Sequence, residues 1–352
     1  MNRIVLIISV IALTSSCQKA DSQNPTTTPV AVSINLSELL VNVTPVDRRY
    51  CKAMHEQEKG ILHGAGQDFN GFSDYASTLG KPQYPLIYMT YIGLINTKEQ
   101  IDAWGLQLKS DLSRLPKDVV PQIGLSMTGG NDNGSGKTMQ VARGDYDAQI
   151  AAFAKAVKDL GRKSFVRIGY EFEGSWNGYD AQGYIGSFIK ITNELRKVGA
   201  NAATVWCSGG GSAGFMSWDK LVNFYPGDEW VDWFGVDIFS PEEITDSRLI
   251  AFLNKADQYK KPVMIGETTP RYVGTLDGKA SWDMWFKPFF GLLYANPQIK
   301  AICYINWDWI SWSNKLGFGW QDWKDARIEK NETVKQGYIQ ELKKPIFVHS
   351  KE

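Results

Sequence analysis

Only three histidines, His55, His63 and His349, occur in 352 residues, and none share the spacing of metal ligands. A histidine-centred metal site is therefore not expected, and a Ser-His-Asp arrangement would have to draw on His63 or His55 with no supporting motif. Net charge is lacking as well: 38 basic residues cancel 38 acidic ones, and no long basic run appears. The electrostatic footprint of a nucleic-acid binder is missing, and a neutral partner fits better. Cysteine is sparse. Apart from Cys17 there are Cys51, Cys207 and Cys303, the last two inside apolar strand-like runs where a thiol acts as a small hydrophobe, so no disulfide framework is implied.

Long apolar runs are also few. The segment Ile4 to Leu13, after "MNR", is too short to span a bilayer and reads as a secretory signal peptide. Cys17 follows "TSS" and resembles the lipidated cysteine of a bacterial lipoprotein signal, although Thr14 stands where such signals prefer an aliphatic residue. Plain secretion is the alternative. The organisation expected is a signal peptide over 1–17, a flexible Pro- and Thr-containing tether over 18–46 and one domain over 47–352. Such a protein would be exported and held at the outer membrane or in the periplasm by a lipid anchor, as a monomer.

What the chain does have is hydrophobic content of 43%, enough to bury a large core, and 13 tryptophans, many near predicted strand ends. From Gly60 onward, eight β-rich runs alternate with stretches of helical period: "ILHGAGQ", "YPLIYMTYI", "VVPQIGLSM", "SFVRIGYEF", "ATVWCSG", "VDWFGVDIF", "PVMIGETT" and "KAICYINWDW". The link around "NGFSDYASTLGK" is the least helical. Eight β/α alternations predict a closed (β/α)8 TIM barrel, with a doubly wound open sheet as the alternative. In a barrel the chemistry sits at the C-terminal ends of the strands.

Two strand ends carry carboxylates. In "SFVRIGYEF" the two-residue period puts Arg167, Gly169, Glu171 and Glu173 on one face, with Arg167 deepest, Glu171 at the mouth and Glu173 entering the loop. A structural Arg–Glu pair near the barrel top is the alternative. The seventh strand, "PVMIGETTP", ends in Glu267 after a glycine. Two such carboxylates can flank a glycosidic bond, one as general acid/base and one as nucleophile, at the roughly 5–5.5 Å separation of a retaining mechanism. Trp206, Trp307 and Trp309 at strand ends are candidates for stacking on sugar faces. Gln67 and Asp68 could bind sugar hydroxyls or cap a loop, and Asp237 could support the site or close a strand. "GGNDNGSGKT" misses the phosphate-loop pattern, with Asn131 where the first glycine belongs, and reads as a cleft loop.

The segment "RIGYEFEGSW" resembles the acid/base segment of glycoside hydrolase family 26, a clan A (β/α)8 family in which Arg precedes the catalytic Glu by four residues and Gly-x-Trp follows. The resemblance implies Glu171 as acid/base, with Arg167, Gly174 and Trp176 in the accompanying positions, and Arg167, Tyr170, Trp176, Asp237 and Phe239 are expected among the residues that meet substrate. "VMIGE" resembles the nucleophile strand, which makes Glu267 the nucleophile. There are two departures: Tyr170 replaces a frequent His, and Phe239 replaces a Tyr whose hydroxyl orients the nucleophile. A phenyl ring cannot donate that bond, leaving Tyr170 and Tyr272 as candidates to replace it. The activity implied is double displacement on a β-linked polysaccharide such as β-mannan, β-1,3-xylan or mixed-linkage β-glucan, endo-acting and with no metal or organic cofactor. The other reading is a non-catalytic glycan-binding lipoprotein that has kept the barrel. Both glutamates are present, which favours the hydrolase.

Overall fold

The computed structural model describes residues 43–129, 134–214, 216–317 and 319–352. The expected signal peptide, Cys17 and the tether up to residue 42 lie outside them. Eight strands follow one another: β1 Ile61–Gly66, β2 Ile87–Gly93, β3 Val120–Ser126, β4 Ser164–Ile168, β5 Ala202–Ser208, β6 Trp233–Ile238, β7 Val263–Thr268 and β8 Ile299–Tyr304. Each pairs in parallel with the next, and β1 pairs with both β2 and β8, so the sheet closes into a barrel. A two-residue strand, Phe347–Val348, adds to β1. The main helices are α1 Phe69–Leu79, α2 Lys98–Ser113, α3 Asp147–Asp159, α4 Ala181–Val198, α5 Ser247–Gln258, α6 Lys287–Ala295, α7 Trp309–Leu316 and α8 Glu332–Leu342.

The strands read as nearly continuous apolar runs because both of their faces are covered. One cluster, including Met89, Phe165, Val205, Cys207, Met264 and Cys303, fills the barrel interior. A larger one, including Phe72, Ile101, Phe153, Phe188, Phe252 and Phe289, seals strands against helices. Alternation decides between them. On β5, Val205 and Cys207 point inward, so Trp206 points outward and cannot stack on a sugar. It is fully buried, with its ring 4.6 Å from Phe172 and 5.1 Å from Phe234.

The weakest helical stretch forms α1 all the same. Its Asn, Gly, Ser and Thr residues are poor helix formers, but Phe72, Tyr75, Ala76 and Leu79 share a buried face. Asp68 caps it, its Oδ1 accepting from Gly71 N at 2.8 Å. That carboxylate is therefore committed to the helix and is not a sugar ligand. At the N-terminal end of the barrel, Met54 O accepts from Trp233 Nε1 at 2.8 Å and Arg49 O from Lys300 Nζ at 2.7 Å, which closes the floor. His63 is buried near there, 2.9 Å from His349 Nδ1 and 3.3 Å from the Tyr75 hydroxyl.

Candidate active site

β4 stops at Ile168, and the chain then turns instead of alternating. Gly169 has φ 58° and Glu171 φ 51°, so the expected row of Arg167, Gly169, Glu171 and Glu173 is broken after its first member. A Cβ on Gly169 would lie 2.6 Å from Met127 Cε. For glutamate a left-handed backbone costs on the order of 1–2 kcal/mol, and it persists only where neighbours impose it. Here they do. Glu171 N donates to Cys207 O at 2.8 Å, while Glu171 O accepts from Gly174 N at 2.9 Å and from Asn177 Nδ2 at 2.9 Å. The same Asn177 amide donates to Tyr170 O at 3.0 Å.

The Gly-x-Trp spacing has a physical reason. Trp176 Nε1 donates to Glu171 Oε2 at 2.8 Å, with its ring lying where a Cβ on Gly174 would be only 2.5 Å away. The loop after β3 packs on the same turn, Gly134 N donating to Trp176 O at 2.6 Å. Residues 130–133 of that loop are outside the described set. Glu173 leaves the cavity: its carboxyl accepts from Ser208 Oγ and from Gly209 N at 3.2 Å, and burial pushes its pKa up to about 7.

Glu267 lies on β7, where the strand still runs. Arg167 Nη1 donates to its Oε1 at 2.8 Å and Gln67 Nε2 to its Oε2 at 3.4 Å. Arg167 Nη2 donates to Asp237 Oδ2 at 2.5 Å, and Cys207 Sγ lies 3.4 Å from Asp237 Oδ1. Gly266 makes room for this bridge, since a Cβ there would sit 2.7 Å from Arg167 Nε. Gln67, like Glu171, has a positive φ, 89°, at a strand end that carries function.

Arg167 and Asp237, both expected to touch substrate, have no exposed surface. They lie beneath Glu267 and position it. Tyr272 is 53% exposed and does not line the cavity, so it does not orient the nucleophile; Arg167 and Gln67 hold that carboxylate instead. Tyr170 does line the cavity, its ring 5.4 Å from that of Tyr91 and 5.0 Å from the Arg167 guanidinium carbon.

One buried guanidinium thus faces three carboxyls, Asp237, Glu267 and Glu171. Two of them hydrogen-bond to it and Glu171 does not. Burial raises the pKa of Glu171 well above the usual carboxylate range, with Asp237 and Glu267 adding to the rise and Arg167 and the Trp176 indole opposing it. Asp237 is likewise pushed up by burial, against the pull of Arg167.

Glu171 and Glu267 open into one cavity of about 570 Å³, in the range that takes small-molecule ligands. Of the residues expected to meet substrate, Gln67, Tyr170, Trp176, Phe239, Trp307 and Trp309 line it. Tyr91, Arg271, Trp312, Trp320 and Trp323 line it without having been singled out from sequence. Tyr91 was accessible to strand parity, since Ile87 and Met89 on β2 point inward. Phe239 packs on Trp323 with 4.8 Å between ring centroids, which gives the place of the missing hydroxyl an apolar contact.

The model of glycosyl hydrolase family 26 matches residues 132–287, a span that contains both glutamates and the strands that carry them. A β-1,3-xylanase from Vibrio sp. is 28% identical over 329 residues, covering 84% of this chain and 67% of its own length. Over that span the chain is similar to glycosyl hydrolase family 26. The chain is also 27% identical to a β-1,3-xylanase from Alcaligenes sp. over 317 residues, 83% of this chain and 65% of that one. It therefore spans about two thirds of each of these relatives. Its barrel is shared with a modular endo-β-1,4-mannanase from Cellulomonas fimi, at a TM-score of 0.59 and 18% identity, covering 83% of this chain and 72% of that one. GH26C from Muricauda sp. MAR_2010_75 matches at a TM-score of 0.62 and 14% identity, over 84% and 88% of the two chains.

Proposed function

We propose that the chain is a family 26 glycoside hydrolase, a retaining, endo-acting β-glycanase whose substrate is β-1,3-xylan. The observation that carries the mechanism is the unequal treatment of two glutamates facing one cavity: Glu267 receives the buried guanidinium, whereas Glu171 is desolvated and, among the described residues, receives only an indole N–H. Glu267 attacks the anomeric carbon as Glu171 gives its proton to the departing oxygen. Glu171, now ionised, then takes a proton from water, and that water releases the sugar from Glu267. Among the glycans compatible with the sequence, the two β-1,3-xylanase relatives favour β-1,3-xylan over β-mannan and mixed-linkage β-glucan.

The test is reducing-sugar release from those three glycans, with product chromatography and NMR of the newborn anomeric centre. Oligosaccharides from β-1,3-xylan with retained configuration are expected. Release from another glycan alone would contradict the substrate, and an inverted anomer the mechanism. The export reading supposes a monomer anchored through a lipid on Cys17. It predicts that labelled palmitate enters the chain and that Cys17→Ala abolishes the label; an unlabelled wild type would favour plain secretion.

A further inference from the structure

The cavity continues along a wall of tryptophan beyond the two glutamates. Trp307, just after β8, packs over α1, where a Cβ on Gly71 would lie 3.0 Å from its indole nitrogen. From there the rings step to Trp312 of α7, 5.7 Å between centroids, and on to Trp320, a further 5.3 Å. Each step is about the width of one pyranose ring. Trp309 lies behind all three, 4% exposed, with its ring 5.4 Å from Trp307, 5.7 Å from Trp312 and 6.1 Å from Trp320.

Trp309 is buried, whereas Trp312 and Trp320 are more exposed. Both are half-buried, both line the cavity of Glu171 and Glu267, and the exposed stretch 314–317 borders them. Partly exposed aromatic side chains lining a cleft mark a place where a ligand is covered. The neighbouring cation, Arg271, is paired with Asp322 at 2.6 Å and lies 4.7 Å from the Trp323 ring centroid, so it is engaged in holding the wall to the loop after β7. Aromatic faces beside a neutralised cation suit the C–H face of an uncharged sugar better than an anionic group.

We propose that Trp312 and Trp320 form a sugar-binding subsite separate from the one where the bond is cut, taking further neutral pyranose units of the bound glycan. The proposal deepens the β-glycanase reading and rests on it. Binding energy gathered there belongs to a part of the substrate remote from the reacting bond, so it grows with chain length.

The test measures kcat/KM of the wild type, Trp312→Ala, Trp320→Ala and the two Phe variants on oligosaccharides of two to six units, made from whichever β-glycan the wild type cuts. The loss in the alanine variants should grow with length to about tenfold on the longest substrate, with Phe restoring most of it. An equal loss at every length, or none on the longest, overturns the proposal. A second arm needs no turnover: retardation of Glu171→Gln and Glu171→Gln/Trp320→Ala in gels containing each dissolved glycan. If no glycan is cut, the hydrolase reading fails alone, and the gels decide the subsite. Retardation lost in the double variant supports the subsite, whereas equal retardation, or none in either, overturns it.

Discussion

The mouths of β4 and β7 carry the same side chain in opposite surroundings. Glu267 ends a running strand and receives a guanidinium and an amide, whereas Glu171 sits beyond its strand on a left-handed turn and receives one neutral indole N–H. The difference teaches that role follows environment: in the proposed mechanism the carboxyl bonded to the cation is the one that attacks, and the desolvated one, its pKa raised by burial, is the one that gives the proton. Each substitution that evens out the two surroundings should erode the division of labour.

The largest effects come from the glutamates themselves. Glu267→Gln should lower kcat by about a thousandfold or more on every substrate. Glu171→Gln should cost roughly 10²- to 10⁴-fold on a polysaccharide, yet far less for the first step on an aryl glycoside whose leaving group needs no proton. Burst kinetics on such a glycoside separate the two roles, and similar losses for both variants on it would remove the distinction.

Arg167→Met comes next. It leaves Asp237 and Glu267 buried without their cation, a change that typically costs about 3–5 kcal/mol and is readable by denaturant unfolding. Gly266→Ala is gentler, pressing a methyl against the same guanidinium, with about 1–3 kcal/mol lost and a lower kcat. Smallest is Trp176→Phe. The indole N–H stabilises the ionised form of Glu171, so removing it raises that pKa further, and the alkaline limb should move up. Movement of that limb to lower pH would mean that Glu171 is not the acid.

The barrel and both glutamates were legible because their signals are local: eight β-branched runs, and carboxylates at two strand ends that otherwise had no reason to be charged. What escaped depends on partners distant in sequence. The stretch 69–79 has poor helix propensity, overridden by burial of Phe72, Tyr75 and Leu79. Trp206 looked like a sugar platform only because strand parity was not applied to it; inward Val205 and Cys207 turn it out. The support beneath Glu267 joins residues 70 and 100 positions apart, and the wall of Trp312, Trp320 and Trp323 follows no period at all.

The most direct test of the central claim is to trap the covalent intermediate with an activated 2-deoxy-2-fluoro glycoside of the preferred substrate, and to map the labelled peptide by mass spectrometry. The label should sit on Glu267, in the peptide containing "VMIGETT", and should be absent from Glu267→Gln. A label on Glu171, or turnover with inversion and no trapped species, would contradict the assignment.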